Sequence, residues 1–463
     1  MKKLVVLLLL VLTGCTGYKE VKPIPKIDTT TEQTTTFKEQ VIFSSKKKIN
    51  IAVLLPLDGQ YKEISENIIE AIQLAYNNNV NKSIVIRFYS TFENGTDTTI
   101  SAAKEAIDGG SDIILGPLFA TNLQKVAKEA ARKNIPVISF SNDRTALKDT
   151  KNVYLMGYSP EVEVERVLDY VANTQHALRF VAMVPENKYG RVVLSSLKAS
   201  LESRGLTLVR VVTYPPDTIN FSPYVEKLVN PEELDRYKEA IKKYDSKHVN
   251  DSSHSLLDRQ SYPELNLDFD TLLVGDSGKR LMLLGVHLPY VGIDPNKINF
   301  IGTRLWANAP LYNEAAFKNA AFPDFIDLQN TIFASKFSSI FKTKPTLISA
   351  VAYDAIQMIS NLVTVDPDSG KVQYDFSLSS LTNHRILGVL GNYYLRNDGL
   401  TERDMEIKGV GNQDYNVIDN TSGFEFMSVK DYKNLPLEDI TSTENNGSES
   451  SEDQASLLNS NED

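Results

Sequence analysis

Two short apolar runs, Ile113–Leu115 and Ile135–Phe140, flank a stretch in which apolar and polar residues alternate at helical spacing. The runs predict buried parallel strands. The stretch between them predicts a helix that opens at Thr121, with Gln124 three residues on at the spacing of a capping box. Strand, helix, strand is the repeating unit of an open α/β sheet, and in such sheets ligands bind beyond the carboxyl ends of the strands. Two loops leave those ends, Gly116–Asn122 and Ser141–Arg144, so a bound molecule is expected there first.

The same rhythm runs before this unit. Ile51–Leu55 reads as a strand that ends in Pro56-Leu57-Asp58-Gly59. Ile64, Ile68, Ile72 and Ala75 then mark one face of a helix. Ile84–Tyr89 reads as the next strand. Thr96 or Asp97 is placed to cap a helix carrying Ile100, Ala103 and Ile107, with Gly109 ending it in a left-handed conformation.

After an extended connector at Val153–Tyr158, a second series begins with a helix over Glu161–Ala172. Strands are predicted at Phe180–Val184, Leu206–Tyr214, Thr271–Val274 and Ile298–Gly302, with a helix ended by Gly205 and another over Gly278–His287. Residues 230–268 break the rhythm and read as a charged surface insertion with a helix over Pro231–Tyr244. Helices around Phe325–Phe341 and Leu347–Val363 carry apolar stripes suited to packing back on the first series. Gly388–Leu395 and Asn416–Asp419 read as late strands.

The fold class expected is therefore α/β, with two doubly wound parallel-sheet lobes joined by three crossovers. The organisation expected is a signal peptide at 1–14, a disordered tether at 15–48, the first part of lobe 1 at 49–157, and lobe 2 at 158–320. Lobe 1 resumes at 321–390, lobe 2 at 391–435, and a disordered acidic tail fills 436–463.

Composition adds the compartment. The chain has 463 residues, 42% hydrophobic and 23% charged, enough for two packed lobes. A net charge of −10 argues against a nucleic-acid partner and against a basic membrane-binding face. Lys2 and Lys3 precede an apolar run from Leu4 to Leu12 that is short for a bilayer span and reads as a secretory signal. Leu12-Thr13-Gly14-Cys15 resembles the bacterial lipobox, which implies cleavage before Cys15, the only cysteine, and its lipidation. Thr16, not Asp, follows it, which by the same resemblance favours the outer membrane facing the periplasm.

No catalytic or metal constellation is expected, and no cofactor. The five histidines are scattered without metal-ligand spacing. Gly275-Asp276-Ser277-Gly278 reads as a strand-to-helix turn rather than a nucleophile loop, and Gly409-Val410-Gly411 lacks the flanks of a dinucleotide fingerprint.

Four segments in order, I-A-V-L-L-P-L-D-G at Ile51–Gly59, D-I-I-L-G-P-L at Asp112–Leu118, I-P-V-I-S-F-S-N-D at Ile135–Asp143 and E-N-K-Y-G at Glu186–Gly190, make the chain similar to the type I periplasmic binding proteins of the Leu/Ile/Val-binding group. The resemblance covers about Ile49 to Val429 and implies a ligand cleft between two lobes. F-S-N-D, T-Y-P-P at Thr213–Pro216 and F-I-G-T-R-L-W at Phe300–Trp306 look most like the lipoprotein branch called penicillin-binding protein activators. Carried over by position, the resemblance implies a cleft formed by Asp58, Gly116, Pro117, Ala120, Thr121, Ser141, Asn142, Asp143, Tyr189 and Trp306. Asp143 and Asp58 replace neutral hydroxyl residues of the family pattern, which weighs against an anionic ligand group by about 1 kcal/mol or more where partly buried. Structural roles stay open beside these: Ser141, Asn142 and Asp143 as caps of the next turn, Tyr189 as a hinge packing aromatic, Trp306 as a lobe-packing residue.

Two functions are expected from this resemblance. One is a non-catalytic activator-type regulator whose partner is a peptidoglycan synthase (a penicillin-binding protein). The other is a solute-binding protein whose partner is an ABC importer permease and whose ligand is an amino acid or related small polar molecule. Membrane contact is expected through the lipid anchor alone.

Overall fold

The computed structural model describes residues 48–420 apart from 80–82, 248–262, 295–296 and 383. Cys15, the signal peptide, the tether up to residue 47, the central part of the insertion and the acidic tail lie outside the described residues.

Lobe 1 is a five-stranded parallel sheet. Its strands are β1 (Ile49–Leu55), β2 (Ile84–Ser90), β3 (Ile113–Leu115), β4 (Val137–Ser139) and β5 (Val153–Leu155), in the order β2-β1-β3-β4-β5. β1 is apolar almost throughout because helices cover both of its faces. The strand order reverses between β1 and β3, so a crevice opens at their carboxyl ends. Helices α1 (Lys62–Asn79), α2 (Thr99–Asp108) and α3 (Ala120–Ala131) connect the strands. α3 buries Ala120, Leu123, Val126, Ala127 and Ala130, the i, i+3, i+4 stripe of an amphipathic helix.

The helix ends lie about one residue from the expected end signals. α3 begins at Ala120, with Phe119 at the cap position, so Thr121 lies inside the helix and caps nothing. α2 is entered through Thr98, while Asp97 accepts the Thr99 N–H at 2.9 Å. Gly110, at φ +75°, takes the left-handed turn instead of Gly109.

Lobe 2 is built on β6 (Arg179–Pro185), β7 (Thr207–Tyr214), β8 (Thr271–Val274), β9 (Asn299–Gly302) and β10 (Ala321–Asp324). The three strands Ile386–Gly388, Gly391–Leu395 and Thr401–Arg403 (β11–β13) form a small separate sheet. β14 (Glu406–Val410) and β15 (Tyr415–Asp419) then complete the second large sheet, in the order β15-β14-β10-β9-β8-β6-β7. β14 and β15 are antiparallel additions to a parallel sheet. α4 (Pro160–Thr174) and α5 (Lys188–Arg204) pack on each other over this sheet.

Helices Ile332–Phe341 and Leu347–Asn361 return to lobe 1. Phe337, Val351 and Ile356 share a core with Ile68, Ala71 and Ile72 of α1. Two boundaries differ from the expected ones. β10 is hydrogen-bonded into the second sheet, so that lobe runs past residue 320 to Asp324. Tyr393 and Leu395 of β12 lie in the lobe 1 core, so the chain comes back to lobe 2 at Glu406 rather than at 391.

The chain thus crosses between the sheets near 155–160, 324–328 and 403–406. α4 stands at this junction, which is why its first turns bury Glu161, Glu163, Glu165 and Arg166. Arg166 Nε donates to the Met405 carbonyl at 2.9 Å and its guanidinium lies 3.5 Å from Asp419. Glu163 accepts the Arg304 N–H at 3.1 Å, and Arg396 lies within 4 Å of Glu165 and Glu402.

Candidate functional site: the cleft between the lobes

A cavity of about 570 Å³ opens between the two sheets, inside the roughly 300–1,000 Å³ range of small-molecule sites. Lobe 1 lines it with Pro56 after β1, Phe119 and Thr121 at the start of α3, and Asn142 and Asp143 after β4. Lobe 2 lines it with Glu161 on α4, Lys188 and Tyr189 on α5, and Asp276 and Arg280 after β8. Both walls are therefore built from strand ends and helix starts, as the sheet geometry requires.

Four of the ten residues expected at the cleft line it: Thr121, Asn142, Asp143 and Tyr189. Asp143 has two roles. Its Oδ1 accepts the Thr145 N–H at 3.0 Å and so caps the next short turn, while Oδ2 accepts from Lys188 Nζ of lobe 2 at 2.6 Å. Tyr189 Oη shares a hydrogen bond with Thr303 Oγ1, and burial, with the Glu163 charge second, pushes its hydroxyl well above the usual tyrosine range.

The other six do not face the cavity, each for a physical reason. Trp306 is fully buried in the lobe 2 core, where Nε1 donates to the Val274 carbonyl at 3.1 Å and the ring sits edge-on to Phe300 and Phe317. It is the lobe-packing residue. Asp58 is exposed on the rim and accepts the N–H groups of Gly59 and Asn94 at 2.8 and 3.1 Å, and these bonds hold its carboxyl below the usual range. Ala120 is part of the buried stripe of α3. Ser141 is buried, its Oγ accepting the Asp143 N–H at 3.1 Å, so it shapes the loop from behind. Gly116 and Pro117 lie beneath the loop: Gly116 has φ +102°, and a Cβ there would meet the Leu54 carbonyl oxygen at 2.3 Å. Only glycine lets β3 pass so close to β1.

Sequence reasoning missed Tyr61, Phe92, Phe119, Lys188, Asp276 and Arg280. A signal existed for three of them. Lys188 stands beside Tyr189 in the same E-N-K-Y-G segment, and Asp276 and Arg280 follow the carboxyl end of β8, where the strand-end rule applies. Asp276 accepts from Tyr214 Oη at 2.6 Å, Ser277 N–H at 2.7 Å and Arg280 at 2.8 Å. Glu161 accepts from Ser159 Oγ, and burial pushes its carboxyl up.

The Asp143–Lys188 pair spans the cleft and couples the lobes. Lys188 Nζ is partly solvated, so Lys188→Ala is expected to cost under about 1 kcal/mol of stability. It should nonetheless enlarge the ligand-free particle in solution scattering, because the only expected change is a loosened cleft. An unchanged profile would show that the pair holds nothing shut.

No group of three or more His, Cys, Asp or Glu suited to a metal occurs among the described residues, and no helix among them is long and apolar enough to cross a membrane.

Two α/β lobes, three crossovers and a cleft walled by strand ends of both define the two-lobed class of ligand-binding proteins. The family model described as periplasmic binding protein matches residues 48–412, and the chain belongs to that family, of the type I, leucine-binding-like kind. Its fold matches a structure from Rhodospirillum rubrum described as a branched-chain amino acid ABC transporter, with TM-score 0.62 and 14% identity, over 80% of this chain and 100% of that one. It also matches an ABC transporter substrate-binding protein from Sphaerobacter thermophilus, with TM-score 0.55 and 14% identity, over 80% and 96% of the two chains. At such identities the likeness is one of fold. Among curated proteins, an uncharacterised protein of Rickettsia prowazekii, RP748, is 24% identical over 234 residues, 50% of this chain and 61% of that protein. The match therefore spans about three fifths of that relative's length.

Proposed function

We propose that this chain is a non-catalytic, lipid-anchored solute-binding protein of the bacterial envelope that holds a small polar ligand between its lobes. The observation that carries this reading is the cleft itself: about 570 Å³ lined from both lobes and not filled by side chains. The family and fold are those of solute-binding proteins, whose ligands are delivered to importers of the ABC class. A thermal-shift screen of small polar solutes tests it. Stabilisation of about 2–3 kcal/mol is expected at a ligand concentration of about a hundred times Kd. No shift with any solute at millimolar concentration would defeat it.

A second reading is a penicillin-binding-protein-activator-type regulator of a peptidoglycan synthase. The Asp143–Lys188 bridge favours it, since it draws the lobes together with the protein's own side chains. Affinity capture from detergent-solubilised envelopes separates the two readings: enrichment of a synthase supports the regulator, and enrichment of an ABC permease supports the importer.

The anchor has its own test. Cys15→Ser is expected to move the protein from the membrane fraction, with outer-membrane markers, to the soluble fraction. Equal membrane retention of parent and variant would count against lipidation at Cys15.

A further inference from the structure

The charged side chains that line the cleft are matched within the protein. Asp143 holds Lys188 at 2.6 Å, Asp276 holds Arg280 at 2.8 Å, Asp97 holds Lys125 at 2.5 Å, and Arg144 lies 3.8 Å from Asp398. The remaining one, Glu161, is buried with a hydrogen bond from Ser159. An ionised ligand would have to break into one of these pairs or sit desolvated beside it.

What the cleft leaves unspent is neutral. The half-buried Asn142 carboxamide and Ser277 hydroxyl and the exposed Asn308 carboxamide line it with no protein hydrogen-bond partner among the described residues. The Tyr61 hydroxyl, on the lobe 1 wall with Asn142, is buried without a partner among the described residues. A buried hydroxyl left so is costly unless a ligand completes it. Next to these groups is an apolar platform, with the Tyr61 and Phe119 rings 4.5 Å apart between centroids. The negative faces of such rings attract the weakly positive C–H edges of a saturated ring. The space is also ample: at about 570 Å³ the cleft admits a ligand larger than a free amino acid, one or two sugar rings among them.

We propose that the cleft takes a neutral polyhydroxylated ligand of one or two sugar rings, hydrogen-bonded by Asn142, Asn308, Ser277 and Tyr61 and laid against Tyr61 and Phe119. This rests on the solute-binding reading above and narrows it to a ligand class. The hydroxyls of such a ligand both donate and accept, which is what unpaired amides and hydroxyls can use. A ligand lacking them would leave the buried Tyr61 hydroxyl unpaired and would displace water from Asn142 and Ser277 without replacing its hydrogen bonds, so the site discriminates by hydrogen bonding.

The test is calorimetric titration of the full chain with cellobiose and N,N′-diacetylchitobiose, beside L-leucine, L-glutamate and benzoate. At least one saccharide is expected to bind, with affinity changed less than about twofold between about 50 and 500 mM NaCl, since no ion pair forms. Asn142→Ala and Phe119→Ala are each expected to weaken that binding by about tenfold or more, with melting curves showing both variants folded. Ser277→Ala, on the other lobe, is a second variant with the same expected direction. Binding of leucine, glutamate or benzoate without either saccharide overturns the ligand class and leaves solute binding standing. Saccharide binding that weakens more than tenfold with salt, or is indifferent to all three substitutions, also overturns it. Binding of none of the five overturns the ligand class, while the solute-binding reading falls only if the thermal-shift screen is also without a hit.

Discussion

Arg403→Ala is expected to destabilise the protein by about 3–5 kcal/mol, the cost of leaving one member of a buried ion pair alone. Arg403 on β13 and Asp354 on the helix Leu347–Asn361 are 3% and 2% exposed and meet at 2.8 Å. The Val389 N–H also donates to Asp354 at 2.8 Å, and Tyr393 Oη donates to the Asp354 backbone carbonyl at 2.9 Å while its ring lies under the Arg403 guanidinium. These contacts fasten the small sheet β11–β13 to lobe 1. Burial pushes the Asp354 carboxyl up, and Arg403 is the main influence holding it down. Without the arginine the acid is raised further, so the variant should recover stability as pH falls and the carboxyl is neutralised. Arg403→Leu combined with Asp354→Leu should restore most of the loss, since an apolar pair of similar volume avoids the desolvation of both charges. Urea unfolding at neutral pH reads the single and double variants, and its repetition at lower pH reads the recovery. A single-variant loss under about 1 kcal/mol would show that the pair is not isolated from water.

The second large effect is a fall in stability as pH rises from about 5 to about 8.5. Burial raises the carboxyl of Glu163 to about 7 and that of Glu165 to about 8. Arg304 opposes the rise at Glu163, while Asp324 and Glu161 add to it. Arg396 and Arg204 oppose it at Glu165, while Glu402 and Asp169 add to it. In the unfolded chain both acids titrate near 4.5, so between that pH and the folded values the native state binds more protons. Their stabilising contribution is then complete below about 4.5 and is lost as pH climbs through 7 to 8, a loss of a few kcal/mol in all. Glu165→Gln should flatten the slope and raise the melting temperature at pH 8.5. It keeps Arg396 paired with Asp398 at 3.0 Å and near Glu402 at 3.7 Å. Scanning calorimetry at the two pH values decides this, and equal melting temperatures for the parent would contradict it.

These two effects come from the parts of the molecule that were hardest to read in the sequence. The lobes were legible because apolar runs such as Ile51–Leu55 and, within Thr271–Val274, Leu272-Leu273-Val274 are buried between two layers of helix. The cleft loops were legible because strand ends in such sheets face the ligand, and this put Thr121, Asn142 and Asp143 in the loops that wall it, while Tyr189 came only from the family resemblance. The run Glu161, Glu163, Glu165, Arg166 was not. Alternating charge on a helix ordinarily marks a solvated face, and only the chain passing three times through the same junction buries it. Trp306 was open to either role because periodicity cannot say whether a large aromatic after a strand turns to the cleft or inward. The space left by Gly302, where a Cβ would stand 1.9 Å from the indole, is what draws it inward. Asp58 and Asp143 illustrate the same limit. Both are carboxylates after strands, yet one is consumed by two backbone N–H groups and the other reaches across to Lys188.

The central claim is that the space between Phe119 and Asn142 on one lobe and Ser277 and Asn308 on the other is where a solute is held. Native mass spectrometry of the protein purified without denaturation from its own envelope tests that most directly. The predicted result is a one-to-one adduct of a few hundred daltons that is lost from Phe119→Ala and Asn142→Ala while both variants stay folded. An adduct retained by both variants, or a bare chain that no added solute can load, would contradict it.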